Sequence, residues 1–263
     1  MTSTLDPRIS FANYYRAFRN ATKRHGGQIM RLTNGSHIFC LERPDRPRLA
    51  FFSGLHGDER SGPLALLEWL AQSPDLEALD SSLLVLPLLN DAGWDAGTRD
   101  WNGQNLNRAF CDNSTSVKPP FVREAMDSLR NFMPDLFLDL HEVVEVDFPY
   151  VYRYTRDSHD LSQRLQKALD AADEPWSSME QWDGTTEVFV RRLGCDLCAT
   201  IEAPCSWPLK RRVSWQLAGI SSCAAVADEL VGLAPSTRPV SRVAAETASK
   251  IAGASPRAVL GKR

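Results

Sequence analysis

Apolar residues follow two alternating patterns along the chain. Short continuous apolar runs are typical of strands buried on both faces. Such runs occupy residues 48–53, 83–89, 136–140 and 198–201. Other stretches repeat their apolar residues at helical spacing, which predicts α-helices. These stretches are residues 61–72, 121–132, 158–172 and 214–233. Buried strands that alternate with helices predict an α/β sheet covered by helices on both faces.

A hairpin is predicted ahead of the first buried strand. Residues 28–33 and 36–42 have strand-like compositions, and Asn34-Gly35 between them is a two-residue turn signal in which both positions adopt positive φ. No repeat or linker interrupts residues 1–233, so we predict a single domain there.

The C-terminal segment, residues 234–263, differs from the rest in charge. It carries six basic residues against Glu246, a net charge of about +5, whereas the whole chain has a formal charge of -3. This composition predicts a basic, solvated and disordered tail, and a docking role is the alternative.

Composition narrows the class of protein. With 43% hydrophobic and 24% charged residues, the chain resembles ordinary globular proteins. The small net charge gives no reason to expect a nucleic-acid or membrane partner. Neither a signal-peptide pattern nor an apolar run of membrane-spanning length occurs, so we expect a cytoplasmic location. Cysteines should be reduced there. Cys195 and Cys198 have CxxC spacing but open a strand-like run, which favours buried apolar side chains over redox or second-metal use.

Residues suited to a metal site follow three of the buried strands. His56 and Glu59 lie on a glycine-flanked loop after the first strand, His141 follows the strand at 136–140, and Glu202 ends the strand at 198–201. Ligands of open α/β sheets bind beyond the carboxyl ends of strands. Two histidines and one glutamate, with a fourth position open, are a known ligand set of zinc hydrolases. The HxxE spacing alone is a weak pattern, so the prediction depends on its occurrence together with His141 and Glu202 at the ends of other strands.

The same residues belong to a longer series of motifs. In order, these are Gly54-Leu-His56-Gly-Asp-Glu59, Asn90 to Gly93, Arg99, Gly103-Gln-Asn-Leu-Asn107-Arg108-Ala-Phe110, Asp139-Leu-His141 and Thr200-Ile-Glu202. This series resembles the zinc carboxypeptidases, whose superfamily includes the aspartoacylase and succinylglutamate desuccinylase branch. The resemblance covers residues 47–203. It implies a mixed central sheet covered by helices on both faces, as in the zinc carboxypeptidases.

The resemblance also implies a metal centre and a base. His56, Glu59 and His141 would bind one Zn²⁺ per chain. Glu202 would be the general base that takes a proton from zinc-activated water and passes it to the leaving amine. A strand-end salt bridge is the alternative role for Glu202.

Three further residues match substrate-contacting positions of the family. Arg99 would stabilise the carbonyl oxygen as it becomes an oxyanion. Asn107 and Arg108 would bind a substrate carboxylate, for which arginine offers a planar two-point contact. The alternatives are a solvated loop position for Arg99 and an internal ion pair for Arg108. Glu142, beside His141, is interpreted as a pocket residue or as a structural one.

The sequence departs from the family pattern in two places, and one segment has no predicted structure. Asn105 stands where the family usually has aspartate, which alters a contact behind the metal. The peptidases use a mobile tyrosine, but no motif places Tyr150, Tyr152 or Tyr154, so that role is unassigned. Residues 173–192 have no clear period and form either a loop over the pocket or a segment packed on the body.

These features support one leading function and leave others open. The leading hypothesis is a zinc-dependent hydrolase that cleaves an amide or peptide bond next to a substrate carboxylate, as carboxypeptidases do. The second is an N-acyl amino acid deacylase or esterase of the aspartoacylase–succinylglutamate desuccinylase type. A non-catalytic metal-binding protein on the same fold is the third, and a redox protein is the fourth. The expected partner is a small molecule or short peptide with a carboxylate.

Overall fold

The computed structural model describes residues 8–72, 76, 79–111, 118–153, 161–175, 183–195 and 197–230. The strands are β1 (Gln28–Arg31), β2 (His37–Leu41), β3 (Arg48–Ser53), β4 (Ser82–Leu86), β5 (Leu136–Val143), β6 (Tyr150–Arg153), β7 (Ala172–Pro175) and β8 (Leu197–Pro204). The helices are α1 (Phe11–Thr22), α2 (Ser61–Gln72), α3 (Asp91–Ala96), α4 (Pro120–Phe132), α5 (Leu161–Leu169), α6 (Thr186–Arg192) and α7 (Leu209–Leu230).

All eight strands form one mixed sheet, in the order β1-β2-β4-β3-β5-β8-β6-β7. The four central strands β4, β3, β5 and β8 are parallel. On one side β2 joins β4 antiparallel, and on the other β6 joins β8 antiparallel. The predicted α/β class with a mixed central sheet is therefore confirmed, and the carboxyl ends of β3, β5 and β8 meet at one edge.

Side chains along β5 alternate between two apolar layers, as the strand period of two requires. Leu136, Leu138 and Leu140 pack in the layer beneath α1, α2, α5 and α7. Phe137 packs in the opposite layer, with side chains of α4 and α6. Asp139 and His141 continue the Phe137 face toward the end of the strand, so polar groups replace the apolar layer where the site begins.

Several element boundaries differ from the sequence-based predictions. Helix α2 begins and ends as predicted. In the described residues α5 covers only part of the predicted 158–172 helix, and α7 begins five residues before the predicted start. The 173–192 segment contains α6, which the apolar pattern did not indicate. The predicted hairpin is confirmed, since β1 and β2 pair antiparallel. Its turn is longer than the predicted two residues, because the Leu32 N–H donates to the carbonyl of Ser36 and only Gly35 of the Asn-Gly pair has positive φ.

Two other expectations concern the C-terminal tail and the absence of a membrane-spanning helix. The basic tail, residues 234–263, lies outside the described residues, so its separation from the domain stays a prediction. Over the described part of the chain, no helix combines the length and apolarity needed to cross a membrane.

Candidate metal centre and cleft

The loop that carries His56 is fixed by a turn at Gly54. This residue has φ +65°, and a Cβ there would lie 2.8 Å from the Cα of Leu88. Its carbonyl accepts hydrogen bonds from the backbone N–H groups of Leu89 and Asn90 at 3.1 and 2.9 Å. Only glycine tolerates both the positive φ and this close approach. The turn therefore directs the chain after β3 across the end of the sheet.

Gly57 packs the same loop against helix α3. Its N–H donates to the carbonyl of Arg99 at 3.1 Å, and a Cβ on it would lie 2.1 Å from the carbonyl carbon of Gly93. Asn90 Nδ2 donates to the carbonyls of Leu55 and Arg99, at 3.1 and 2.9 Å. The Asn90 and Arg99 motifs thus hold the backbone on either side of His56.

His56, Glu59 and His141 converge on one point at the sheet edge. His56 Nδ1 lies 2.6 Å from Glu59 Oε1, and His141 Nδ1 lies 2.8 Å from Glu59 Oε2. One ligand atom from each residue lies within 4.8 Å of the other two, and all three side chains are buried. Two imidazole nitrogens and a carboxylate oxygen are donors that zinc accepts. The three residues are therefore able to hold a metal ion.

The remaining histidine nitrogens face the partners that a metal site needs. Histidine ligands of metals donate their second N–H to an oxygen acceptor, which fixes the ring orientation. His56 Nε2 lies 3.2 Å from Asn105 Oδ1, and His141 Nε2 lies 3.3 Å from Asp139 Oδ2. The family departure at Asn105 thus replaces a carboxylate with a neutral amide oxygen behind His56.

Glu59 gathers further donors around the metal position. Arg99 Nη1 donates to Glu59 Oε1 at 2.8 Å, and Glu142 N–H donates to Glu59 Oε2 at 3.1 Å. Burial raises the pKa of Glu59, but His56 and His141 outweigh it and lower that pKa well below its ordinary value. Burial lowers the pKa of His141, whereas Asp139 and Glu59 raise it to a greater extent.

A cleft of about 460 Å³ opens in front of these residues. It is lined by His56, Arg99, Asn107, Arg108, His141, Glu142, Val143, Glu145, Val146, Tyr150, Tyr152, Thr185, Glu187 and Glu202. All the residues predicted from the sequence line this cleft except Glu59, which lies behind the two histidines. Arg99 is held close to the metal position by its ion pair with Glu59. Its side chain is 47% exposed, so it can reach a ligand in the cleft.

Glu202 lies beside His141 in register across β5 and β8. Burial raises its pKa to about 8, a shift that His141 opposes and that Glu59 and Glu187 reinforce. A carboxyl group with a pKa in this range is suited to proton transfer near neutral pH.

Glu142 has a structural partner as well as a place in the cleft wall. Its carboxylate accepts from the N–H of Ser61 at 2.6 Å and from Arg212 of α7. It therefore joins the starts of two helices, α2 and α7, to the strand that carries His141. Both of the roles considered for it from the sequence are present.

Four residues of the site were not assigned from the sequence. Tyr150 and Tyr152 reach the cleft because β6 lies antiparallel beside β8, next to Glu202 and Thr200. Asp139 shares the strand face of His141, and a period-two count along β5 could have identified it. Glu187 lies in the first turn of α6 behind the N-cap Thr185. A Thr-Thr-Glu sequence is a helix-start signal, though it says nothing of what the glutamate faces.

Comparison with known proteins agrees with this geometry. Residues 45–204 match the family model of the succinylglutamate desuccinylase/aspartoacylase catalytic domain, which is more than half of the chain. The chain belongs to this family. The match contains every residue of the candidate site, from His56 to Glu202. A search of curated proteins finds no match.

Solved structures of related fold extend the comparison. A metallopeptidase, provisionally assigned, from Shewanella denitrificans OS217 is 26% identical, with a TM-score of 0.71 over 86% of this chain and 99% of that chain. A metallo-carboxypeptidase from Burkholderia cenocepacia is 16% identical, with a TM-score of 0.68 over 84% and 70%. A carboxypeptidase A from Helicoverpa armigera is 14% identical, with a TM-score of 0.67 over 87% and 76%. The chain thus has the carboxypeptidase fold.

Proposed function

We propose that this protein is a zinc-dependent hydrolase that cleaves an amide bond next to a substrate carboxylate. The observation that carries the proposal is the convergence of His56, Glu59 and His141 at the head of a cleft that also contains Glu202. Imidazole and carboxylate donors favour zinc among the common divalent ions. We expect one zinc ion per chain, since the other group able to hold a metal, Asp139, His141 and Glu187, shares His141 with this one.

Each residue of the cleft has a distinct task in this proposal. When bound, zinc would polarise the substrate carbonyl and make water a better nucleophile at neutral pH. Glu202 would accept the proton that this water loses and return it to the leaving amine, which its raised pKa favours. Arg99, half-exposed beside the metal position, would donate to the carbonyl oxygen as negative charge develops on it.

Asn107 and Arg108 would hold the substrate by its carboxylate. Arg108 is exposed at the cleft, so a ligand can reach its guanidinium, and its Nη1 donates to the carbonyl of Asn107 at 2.6 Å. Bidentate contacts of this type are both strong and directional. The metallo-carboxypeptidase from Pseudomonas aeruginosa, of the same fold, was solved in complex with (2-guanidinoethylmercapto)succinic acid, a ligand with carboxylate groups.

Deacylation of an N-acyl amino acid is the second candidate, and the family match favours it. The same metal, base and carboxylate clamp would serve both reactions, because both substrates place a carboxylate beside the scissile amide. A non-catalytic metal-binding role requires that Glu202 be without function, although it lines the same cleft as His56 and His141. A cytoplasmic location remains part of the proposal.

The first test is metal content, measured on purified protein beside a His56→Ala variant. We expect about one zinc per chain in the parent and a loss of metal in the variant, because two ligands hold zinc far more weakly than three. The zinc-loaded protein is then offered a blocked dipeptide and an N-acetyl amino acid with the same C-terminal residue. Faster turnover of the dipeptide indicates a peptidase, and the reverse a deacylase. A parent that takes up no metal when zinc is supplied would refute the proposal.

A further inference from the structure

The peptide that joins His141 to Glu142 is held from both sides. Its N–H, which belongs to Glu142, donates to Glu59 Oε2 at 3.1 Å. Its carbonyl, which belongs to His141, accepts from Gln216 Nε2 of helix α7 at 2.7 Å. Because a peptide is planar, its C=O and N–H turn together. The side chain of Gln216 therefore fixes the direction in which this N–H points at Glu59.

Gln216 is a polar residue in an apolar position. It is 0% exposed, and it lies on the face of α7 that also carries Val213, Ile220 and Cys223, at the three- and four-residue spacing of one helix face. These three neighbours pack in the same apolar layer as Leu140. The pattern of this face alone would favour an aliphatic residue at the position of Gln216.

Packing does not explain a glutamine at this position. Gln216 Oε1 has no hydrogen-bond partner in the part of the chain that the structure describes, and a buried acceptor without a partner destabilises a fold. Turning the amide over would not help, because the carbonyl of His141 can only accept and needs the N–H of Gln216. A leucine of similar size would leave no unpaired side-chain atom. The feature that only the glutamine supplies is its hydrogen bond to His141.

A second side chain of α7 holds the next residue of the strand. Arg212 lies one turn before Gln216 on the same face and pairs with the carboxylate of Glu142. That carboxylate also accepts from the N–H of Ser61 at 2.6 Å, and Ser61 begins α2 two residues after Glu59. Two donors from one helix thus hold consecutive residues of β5 beside the proposed metal position.

We propose that Gln216 is a positioning residue, which orients the His141–Glu142 peptide so that Glu59 and His141 keep the places they need to bind a metal. The Glu142 N–H and His141 Nδ1 both face Glu59 Oε2. A rotation of this peptide would therefore remove one donor of Glu59 and move the backbone that carries the other. This inference rests on the proposed function, because it concerns the metal site of the proposed hydrolase.

The test is Gln216→Leu, which suits the apolar face of α7 and removes the donor. We expect the zinc affinity, measured by competition with a chelator of known affinity, to fall by about tenfold or more, as is usual when the hydrogen bonds that hold metal ligands are lost. The Tm of the metal-free variant should stay within about 4 °C of the parent, because removal of the unpaired Oε1 offsets the lost hydrogen bond. Gln216→Met, which is unbranched and similar in length, should give the same result if leucine does not fit.

Cys223→Ala is the matched control on the same face of α7. It removes a buried sulfur atom two turns beyond Gln216 and leaves the hydrogen bond to His141 in place. We expect its Tm to fall by about 2–4 °C and its zinc affinity to stay within about twofold of the parent. Parental zinc affinity in Gln216→Leu would overturn the inference. An equal loss of affinity in Cys223→Ala, or a Tm lower by more than about 10 °C in both Gln216 variants, would also overturn it, since either result indicates a general packing role.

An exchange measurement on metal-free protein separates this inference from the proposed function. If the parent takes up no zinc, the hydrolase proposal fails, and the rate of amide hydrogen exchange at Glu142 decides the positioning question alone. We expect this amide to exchange about tenfold or more faster in Gln216→Leu than in the parent, while the amide of Leu138 in the same strand changes by less than about twofold. Equal exchange at Glu142 in parent and variant would refute the inference.

Discussion

The two sides of His141 differ in how their carboxylates are satisfied. On one side, both oxygens of Glu59 are occupied, since His56, Arg99, His141 and the Glu142 N–H all point at them. On the other side, the donors are mostly neutral hydroxyls: Thr186 donates to Asp139 and Thr200 donates to Glu187, and Glu202 lies near them with a raised pKa. The ring of His141 therefore lies between Glu59, which is surrounded by donors, and a group of carboxyl side chains with fewer donors.

The difference indicates that Glu59 is suited to bind a metal and Glu202 to accept a proton. A carboxyl group that binds a metal must be deprotonated and held in place, and the donors around Glu59 keep it in that state. A proton acceptor must exchange its proton near neutral pH, which requires an environment unfavourable to charge. Burial without full pairing supplies that environment to Glu202. Perturbed carboxyl groups of this type cluster at functional sites.

The largest effect is expected from two substitutions of the same chemistry on opposite sides of His141. Glu59→Gln removes a metal ligand, so we expect metal affinity to fall by more than about 100-fold and hydrolysis to be lost with it. Glu187→Gln should keep about one metal per chain, because Glu187 is outside the ligand set. Both are measured by metal analysis after dialysis against a chelator of known affinity. Equal metal loss in the two variants would remove the distinction between the two sides.

The next largest effect is expected at Glu202. Glu202→Gln should lower kcat by about 10²- to 10⁴-fold, the usual contribution of a positioned base, with metal content unchanged. In the parent, kcat should fall as the pH decreases, because protonated Glu202 cannot accept a proton. The positive charge of a bound metal lowers the pKa, so the midpoint should lie between the ordinary glutamate value and about 8. A variant with parental kcat at every pH would contradict this assignment.

Arg99 should give a smaller change than Glu202. Arg99→Gln removes a donor to the developing oxyanion, and such donors are worth about 10²- to 10³-fold in kcat. Since the effect belongs to the transition state, KM should change little. The control is Arg46→Gln, at an exposed ion pair with Asp80 that does not line the cleft, where we expect kcat to change by less than about twofold. A large rise in KM with constant kcat would instead place Arg99 in substrate binding.

How far the sequence predicts this site depends on the strength of the local signal. His56, Glu59, His141 and Glu202 could be predicted because each lies at or near the end of a strand with a continuous apolar run. Parallel strands bring such ends together. The central sheet was predicted from the same apolar runs. Asn107 and Arg108 were predicted from the motifs that resemble the zinc carboxypeptidases.

Glu187 and Tyr150 could not be placed in the same way. Glu187 reaches the cleft because α6 begins beside β8, where Thr200 donates to Glu187. This helix is seven residues long, too short for its apolar pattern to be distinctive. Tyr150 reaches it because β6 runs antiparallel beside β8, and the order of strands in a sheet is a tertiary property. The contact of Arg99 with Glu59 likewise depends on a loop whose course only the fold defines.

The smallest expected effect concerns stability, where the charge of Glu202 can be studied separately from its role in catalysis. The pKa of this group is about 8 in the folded chain and near the ordinary glutamate value when unfolded. Between these values the folded state holds a proton that the unfolded state has lost, so the free energy of unfolding decreases as the pH rises through this range. Glu202→Gln cannot lose a proton, and the metal-free variant should therefore be the more stable protein at pH values near 8. We expect its Tm to exceed that of the metal-free parent by several degrees there and by little at pH 5, since about 1 kcal/mol corresponds to 2–4 °C in a domain of this size. Thermal unfolding of both chelator-treated proteins at the two pH values measures this.

Adding zinc should reduce the difference in Tm between parent and variant, because a cation near Glu202 favours its charged form. If the metal-free parent were instead more stable than the variant at pH 8, Glu202 would already be paired in the fold and the prediction would be wrong.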